Sequence, residues 1–269
     1  KNLSAVVPGN TNVAARGRIF PEGEKLTYNV DVAFITEDLQ KAAGWLGYEP
    51  KVVAPATYKN AQAAMNISGT PNNLKIQPLK VVFDKMNFEA EVSYISDERK
   101  TWSIIARTNN VINFDNYAPA LPEEYKDKNF TDKLLARFQD TGYLNKVDLF
   151  VDMKVPGFIF DKTAYGEISL IAETIGGKTE IKNFDLNNLY DAKITADGML
   201  SGFGDKPIFE KMNYTLETDD FRNFLRKIGS GDVFAQVQKN GKISSRGVLN
   251  GGIEKLGIKT VTVIDDVDI

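Results

Sequence analysis

Phe88-Glu89-Ala90-Glu91-Val92-Ser93-Tyr94-Ile95-Ser96-Asp97-Glu98-Arg99-Lys100-Thr101-Trp102-Ser103-Ile104-Ile105-Ala106 is the stretch whose reading decides the fold. Phe88, Ala90, Val92 and Tyr94 alternate with Glu89, Glu91 and Ser93, a polar turn follows, and Trp102, Ile104 and Ala106 resume the period. Successive strand side chains point to opposite faces, so the stretch reads as a hairpin with one apolar and one polar face. Upstream, Leu26, Tyr28, Val30, Val32 and Phe34 keep the same period. Downstream it returns in Val147, Leu149, Val151 and Met153 (with Phe150 the exception on the polar side), in Ile168, Leu170 and Ala172, and in Ala192, Ile194 and Ala196. Strands with one wet face belong to antiparallel sheets, which argues against a parallel α/β fold. Gly176-Gly177, Ala196-Asp197-Gly198 and Lys239-Asn240-Gly241 read as the connecting turns, and so do the glycines of Arg246–Gly252.

Helices are few, and the two clearest resemble each other. Thr36-Glu37-Asp38-Leu39 through Leu46-Gly47 parallels Thr218-Asp219-Asp220-Phe221 through Ile228-Gly229 in its Thr-acid-acid-apolar start and apolar-Gly end. Thr is expected as the N-cap and Gly beyond the last turn. Leu39, Ala43 and Leu46 in one, and Phe221, Phe224, Leu225 and Ile228 in the other, form the expected buried stripes. A third candidate helix runs from Thr131 to Gln139 with Leu134, Leu135 and Phe138 on one side.

The expected fold is therefore mostly β with a few short helices: an elongated, curved antiparallel sheet forming a groove or open barrel, its ends capped by the helices. Residues 1–118 read as a first β-rich repeat, 119–146 as a linker with the third helix, and 147–269 as a second repeat. The termini suggest a fragment of a larger protein, with a tail or anchor missing at either end.

Composition narrows the chemistry. The 269 residues hold 33 Lys and Arg against 36 Asp and Glu, and the net charge of -3 gathers neither nucleic acid nor an anionic surface. There is no His and no Cys, which removes thiolate nucleophiles, His-dependent triads and the usual zinc ligands. Carboxylate pairs remain, such as Asp148 with Asp152 or Glu217 with Asp219, but among so many acids they read as solvated positions. Asp265-Asp266-Val267-Asp268 lacks the spacing of a calcium loop. Trp45 and Trp102 read as core anchors. No catalytic residue, cofactor or metal is expected.

Leu26–Gly47, then Ala61-Gln62-Ala63-Ala64-Met65-Asn66-Ile67-Ser68-Gly69-Thr70, the Phe88–Ile95 strand, Ile104–Pro119, Val147–Met153 and the Gly176-Gly177 region resemble the AsmA family in order and spacing. The resemblance covers most of the chain and rests on a pattern of strands. It implies a non-enzymatic envelope protein of Gram-negative bacteria with a periplasmic body, tethered to the inner membrane through a segment absent from this chain. It further implies a part in outer-membrane assembly or phospholipid transport, with an apolar β-groove shielding acyl chains. The expected partner is a phospholipid or other acyl-chain lipid, and the candidate lining is Val30, Val32, Phe34, Phe88, Val92, Tyr94, Leu149, Val151 and Met153. Two other readings compete: the same residues fill an ordinary closed core, or exposed strand edges make the protein a periplasmic interaction scaffold for other envelope proteins with no bound lipid.

Overall fold

A computed structural model describes residues 2–23, 25–48, 57–96, 98–117, 121–125, 127–229 and 241–265. The expected turn at Lys239-Asn240 and the acidic end Asp266–Asp268 lie outside them. The fold is mostly β with short helices, and its long strands pair antiparallel. Two compact units divide the chain: Lys1–Ala120 with Val151–Thr163, and Leu121–Phe150 with Ala164–Ile269.

In the first unit β1 (Asn2–Val7), β2 (Thr11–Glu22), β3 (Lys25–Thr36), β4 (Ala61–Thr70), β5 (Asn73–Phe83), β6 (Met86–Ser96) and β7 (Lys100–Thr108) follow one another as a meander, with α1 (Leu39–Trp45) between β3 and β4. β1 and β7 are not bonded to each other, so the sheet does not close into a barrel. The hairpin read from sequence is β6–β7, with Tyr94 opposite Trp102, Val92 opposite Ile104 and Ala90 opposite Ala106. The β4–β5 and β5–β6 ladders both shift register next to Gln77-Pro78, where proline cannot donate to a ladder. β8 (Ile112–Asn113) pairs parallel with β10 (Phe158–Phe160), and β9 (Asp148–Val155) carries the division between the units at Phe150/Val151.

One end of this sheet is capped. Thr11 and Thr36 share a buried hydroxyl contact at 2.6 Å, and Thr36 Oγ1 accepts from the Asp38 amide. The N-cap of α1 is Asp38, not the expected Thr36: Asp38 Oδ1 accepts from the Lys41 amide at 3.2 Å, while the threonine is committed inward. Gly47 takes a positive φ of 82° and Tyr48 donates back to the Ala43 carbonyl, closing the helix. Ala42 is the buried residue of α1, whereas Leu46 at 75% and Trp45 at 58% are exposed, which overturns the expected stripe and the expected core role of Trp45. Asp84 ties the cap together, accepting from the Tyr58 and Lys59 amides at 2.8 and 3.1 Å and from the Tyr117 hydroxyl at 3.2 Å. Tyr58, Phe83 and Tyr117 pack against one another around it, with centroids 5.4–5.6 Å apart.

The second unit contains α2 (Phe130–Gln139), β12 (Ile168–Ile175), β13 (Lys178–Leu189), β14 (Ala192–Ser201), β15 (Ile208–Thr218), α3 (Phe221–Ile228), β16 (Lys242–Gly252) and β17 (Gly257–Asp265), while the short β11 (Thr163–Tyr165) begins at the division. β12 to β17 form a second antiparallel meander. α3 repeats the cap of α1: Asp220 Oδ1 accepts from the Asn223 amide, Thr218 Oγ1 accepts from the Asp220 amide, and Gly229 closes the helix with φ 94°. Phe224 and Leu225 are buried as expected. α2 joins α3 through Thr131, which donates to the Ile228 carbonyl at 2.8 Å; its Phe130 packs on Tyr165 and Tyr190, and its Phe138 stacks on Phe203. Leu134, expected on the packed side, is exposed.

Two expected turns are strand interiors. Gly198 lies within β14 where the ladder to β15 shifts register, and a Cβ there would meet the Met212 backbone at 2.6 Å. Residues 246–252 continue β16. Gly176-Gly177, both with positive φ, do connect β12 to β13.

Candidate functional site

Register places the first unit's apolar side chains on one face. From the capped end outward, Val13, Phe34, Ala63, Val81 and Phe88 lie side by side across β2–β6. Beyond them come Ala15, Val32, Met65, Leu79 and Ala90, and then Gly17, Val30, Ile67, Ile76, Val92 and Ile104. Tyr28, Leu74, Tyr94 and Trp102 complete the face, with the Tyr94 and Trp102 rings 4.5 Å apart. Seven strands at about 4.8 Å spacing make this face roughly 29 Å wide.

The face is poorly covered. Val30, Val32, Phe34, Phe88, Val92 and Tyr94 are all half-buried, and so are Leu149, Val151 and Met153 along β9. The described apolar residues of this unit that are fully buried are Ala42, Ala61, Ala63 and Val155. Ala42 lies in α1, and Ala61, Ala63 and Val155 lie toward the strand ends near the cap. A closed core would hold large side chains out of contact with water, yet among the described residues no large side chain is less than 2% exposed. The second unit differs: Leu186, Leu189, Ala192, Met212 and Ile243 of its sheet are buried together with Phe203 and the Phe224-Leu225 pair.

Asp152 fixes the facing of β9 within the first unit. Its Oδ1 accepts from the Arg107 guanidinium at 2.7 Å, and Arg107 sits beside Glu89 on the polar side of the β6–β7 ladder. Val151 and Met153, one position away, therefore turn to the apolar side, whereas Leu149 belongs to the second unit. The polar side carries a network in which Asn66 donates to Asn29 and Asp31, both at 2.8 Å. It also carries a shallow hollow of about 630 Å³ over Ala14, Ala33 and Ala64, rimmed by Asn2, Arg16, Asp31, Asn66 and Lys80. Sequence reading missed this hollow, because it forms where register aligns alanines from three strands, and a single strand carries no trace of that.

Other polar groups have structural partners. Asp148 accepts from the Gly176 amide, Asp219 pairs with Lys242 at 3.4 Å, and Lys206 pairs with Glu254. Burial, followed by the charge and hydrogen bond of Asp84, pushes the Tyr117 phenol up to about 12. Among the described residues no group of three acidic, His or Cys side chains could hold a metal ion, and no helix is long and apolar enough to cross a membrane. No family model, curated protein or solved structure matches the chain.

Proposed function

We propose that the apolar face of the first unit shields lipid acyl chains, in a non-enzymatic, AsmA-like envelope protein that takes part in phospholipid transport or outer-membrane assembly. In this reading the body lies in the periplasm. One observation carries it: an apolar face across the first unit's meander on which Val30, Val32, Phe34, Phe88, Val92 and Tyr94 are all half-buried, with the fully buried positions drawn toward the capped end. At ~0.8 kcal/mol per methylene, exposing about thirty methylenes of a two-chain lipid costs roughly 25 kcal/mol, which only a broad apolar surface can offset. The bound lipid in turn removes water from the face.

The test is lipid extraction from protein purified without detergent exchange, followed by mass spectrometry. About one phospholipid per chain is expected, lost in Val32→Asp and Val92→Asp proteins that keep their circular dichroism. Folded wild-type protein free of lipid would refute the proposal. That outcome would favour the scaffold reading, which has its own observation in β1, an edge strand with Leu3 and Val6 exposed.

A further inference from the structure

The β6–β7 hairpin carries the first unit's apolar face from one end to the other, and its composition changes along the way. From the cap outward come Phe88, then Ala90 opposite Ala106, then Val92 opposite Ile104, all hydrocarbon. Thr108, opposite Phe88, spends its hydroxyl on the Asn87 carbonyl at 2.6 Å. The next pair is Tyr94 with Trp102, and the last is Ser96 with Lys100. Side chains two apart on a strand share a face, so hydrocarbon, aromatic rings and a cation follow one another on one surface. One membrane leaflet has the same order: chains, then Trp and Tyr at the interface, then Lys among the headgroups. The lengths agree as well. From Phe88 to Tyr94 the strand runs about 20 Å, and the chains of one leaflet fill about 15 Å, half of the hydrocarbon core.

Polar groups at the two ends of the face differ. At the cap they are committed to one another, Thr11 to Thr36 and Tyr117 to Asp84. At the other end Tyr28 donates to the Asn73 carbonyl at 3.1 Å, but the Tyr94 hydroxyl and the Trp102 indole N–H have no hydrogen-bond partner among the described residues. Lys100 has no ion pair among them either. Tyr94 and Trp102 are half-buried with their rings 4.5 Å apart, and Lys100 is exposed beside them. An indole N–H and an ammonium can donate and cannot accept. Their complement is an anionic, acceptor-rich group joined to hydrocarbon that runs back over Val92 and Ala90.

We propose that Tyr94, Trp102 and Lys100 hold the polar end of a bound glycerophospholipid, Trp102 donating to an ester oxygen and Lys100 facing the phosphate, with the acyl chains running toward the cap. The proposal rests on the lipid reading above and gives the bound lipid a direction.

The experiment uses the full chain with Trp45→Phe, which leaves Trp102 as the single tryptophan. The protein is loaded with phosphatidylglycerol brominated near either the carboxyl end or the methyl end of its acyl chains, because bromine quenches indole emission only at close contact. Carboxyl-end bromine is expected to remove most of the Trp102 emission and methyl-end bromine little of it. With Phe88→Trp and Trp102→Phe added, the reporter moves to the capped end and the order should reverse. Methyl-end bromine as the stronger quencher of Trp102, or equal quenching by both lipids, overturns the direction. No quenching of Trp102 by either lipid instead overturns the lipid reading on which the direction rests. In displacing the brominated lipid, phosphatidylglycerol should compete about tenfold better than diacylglycerol with the same chains, the scale of a charge-assisted contact. Lys100→Gln should bring the two competitors together and Lys100→Arg should keep them apart; an advantage unchanged in Lys100→Gln overturns the phosphate contact. Trp102→Phe should weaken the ester-linked lipid about fivefold, the scale of one hydrogen bond, and leave its ether-linked analogue unchanged. Equal losses for the two overturn the ester contact.

Discussion

Valine-to-threonine exchange separates an open apolar face from a closed core, because it keeps the shape and adds one hydroxyl. The first unit supplies both sites and control. Val155 is 3% exposed, so a hydroxyl there loses water and finds no prepared partner, at about 1–3 kcal/mol. Val32 and Val92 are half-buried on the face that nothing seals, so the hydroxyl reaches water and the cost stays within about 0.5 kcal/mol. With a urea slope of roughly 2 kcal/mol/M, Val155→Thr moves the midpoint down by about 0.5–1.5 M, and the other two by no more than about 0.25 M. Tryptophan fluorescence is the right probe, since both Trp45 and Trp102 belong to this unit. Val32→Thr or Val92→Thr as costly as Val155→Thr would mean that the face is sealed.

Three further outcomes are expected. Asp38→Ala and Asp220→Ala should each cost about 0.5–2 kcal/mol in urea unfolding, as lost N-caps do, and a null effect would contradict the capping geometry. Trp45→Ala should stay within about 0.5 kcal/mol, whereas Trp102→Ala, which loses the packing on Tyr94, should cost about 2 kcal/mol, roughly half a fully buried truncation; acrylamide should quench the Trp45 emission first. The Tyr117 phenol sits above its ordinary value in the folded state, so folding favours its protonated form. Its contribution is complete below about pH 10 and is lost as pH rises toward about 12. Tyr117→Phe should flatten that alkaline decline, and an unchanged slope would assign it elsewhere.

Much of the sheet was legible because alternation is a local property. β3, β6, β7 and β9 declare themselves through large apolar residues alternating mostly with polar or charged ones, and the Thr-acid-acid starts announce α1 and α3. β2 did not, since Val13-Ala14-Ala15-Arg16-Gly17 offers little contrast, and Pro78 broke the pattern of β5. Facing depends on register with neighbours, which no single strand encodes. In β17 Thr260 and Thr262 share the face of Gly247 and Ser245 while Val261 and Val263 take the opposite face, the reverse of what the alternation of that strand alone suggests. Gly247 shows the same limit: glycine reads as a turn until the Tyr214 ring is found lying across it. The N-cap was displaced by one acidic residue pair because Thr36 and Thr218 are drawn inward by buried contacts, leaving the aspartates to meet the helix amides.

Site-specific photocrosslinking in bacterial cells tests the proposal most directly, with the reactive residue at Val32 in one protein and at the adjacent Ala33 in another. Val32 lies in the apolar rows, and Ala33 floors the hollow on the opposite face. Phospholipid attached at Val32 and not at Ala33 is the predicted result. Attachment at Ala33 alone, or at neither position in folded protein, would contradict it.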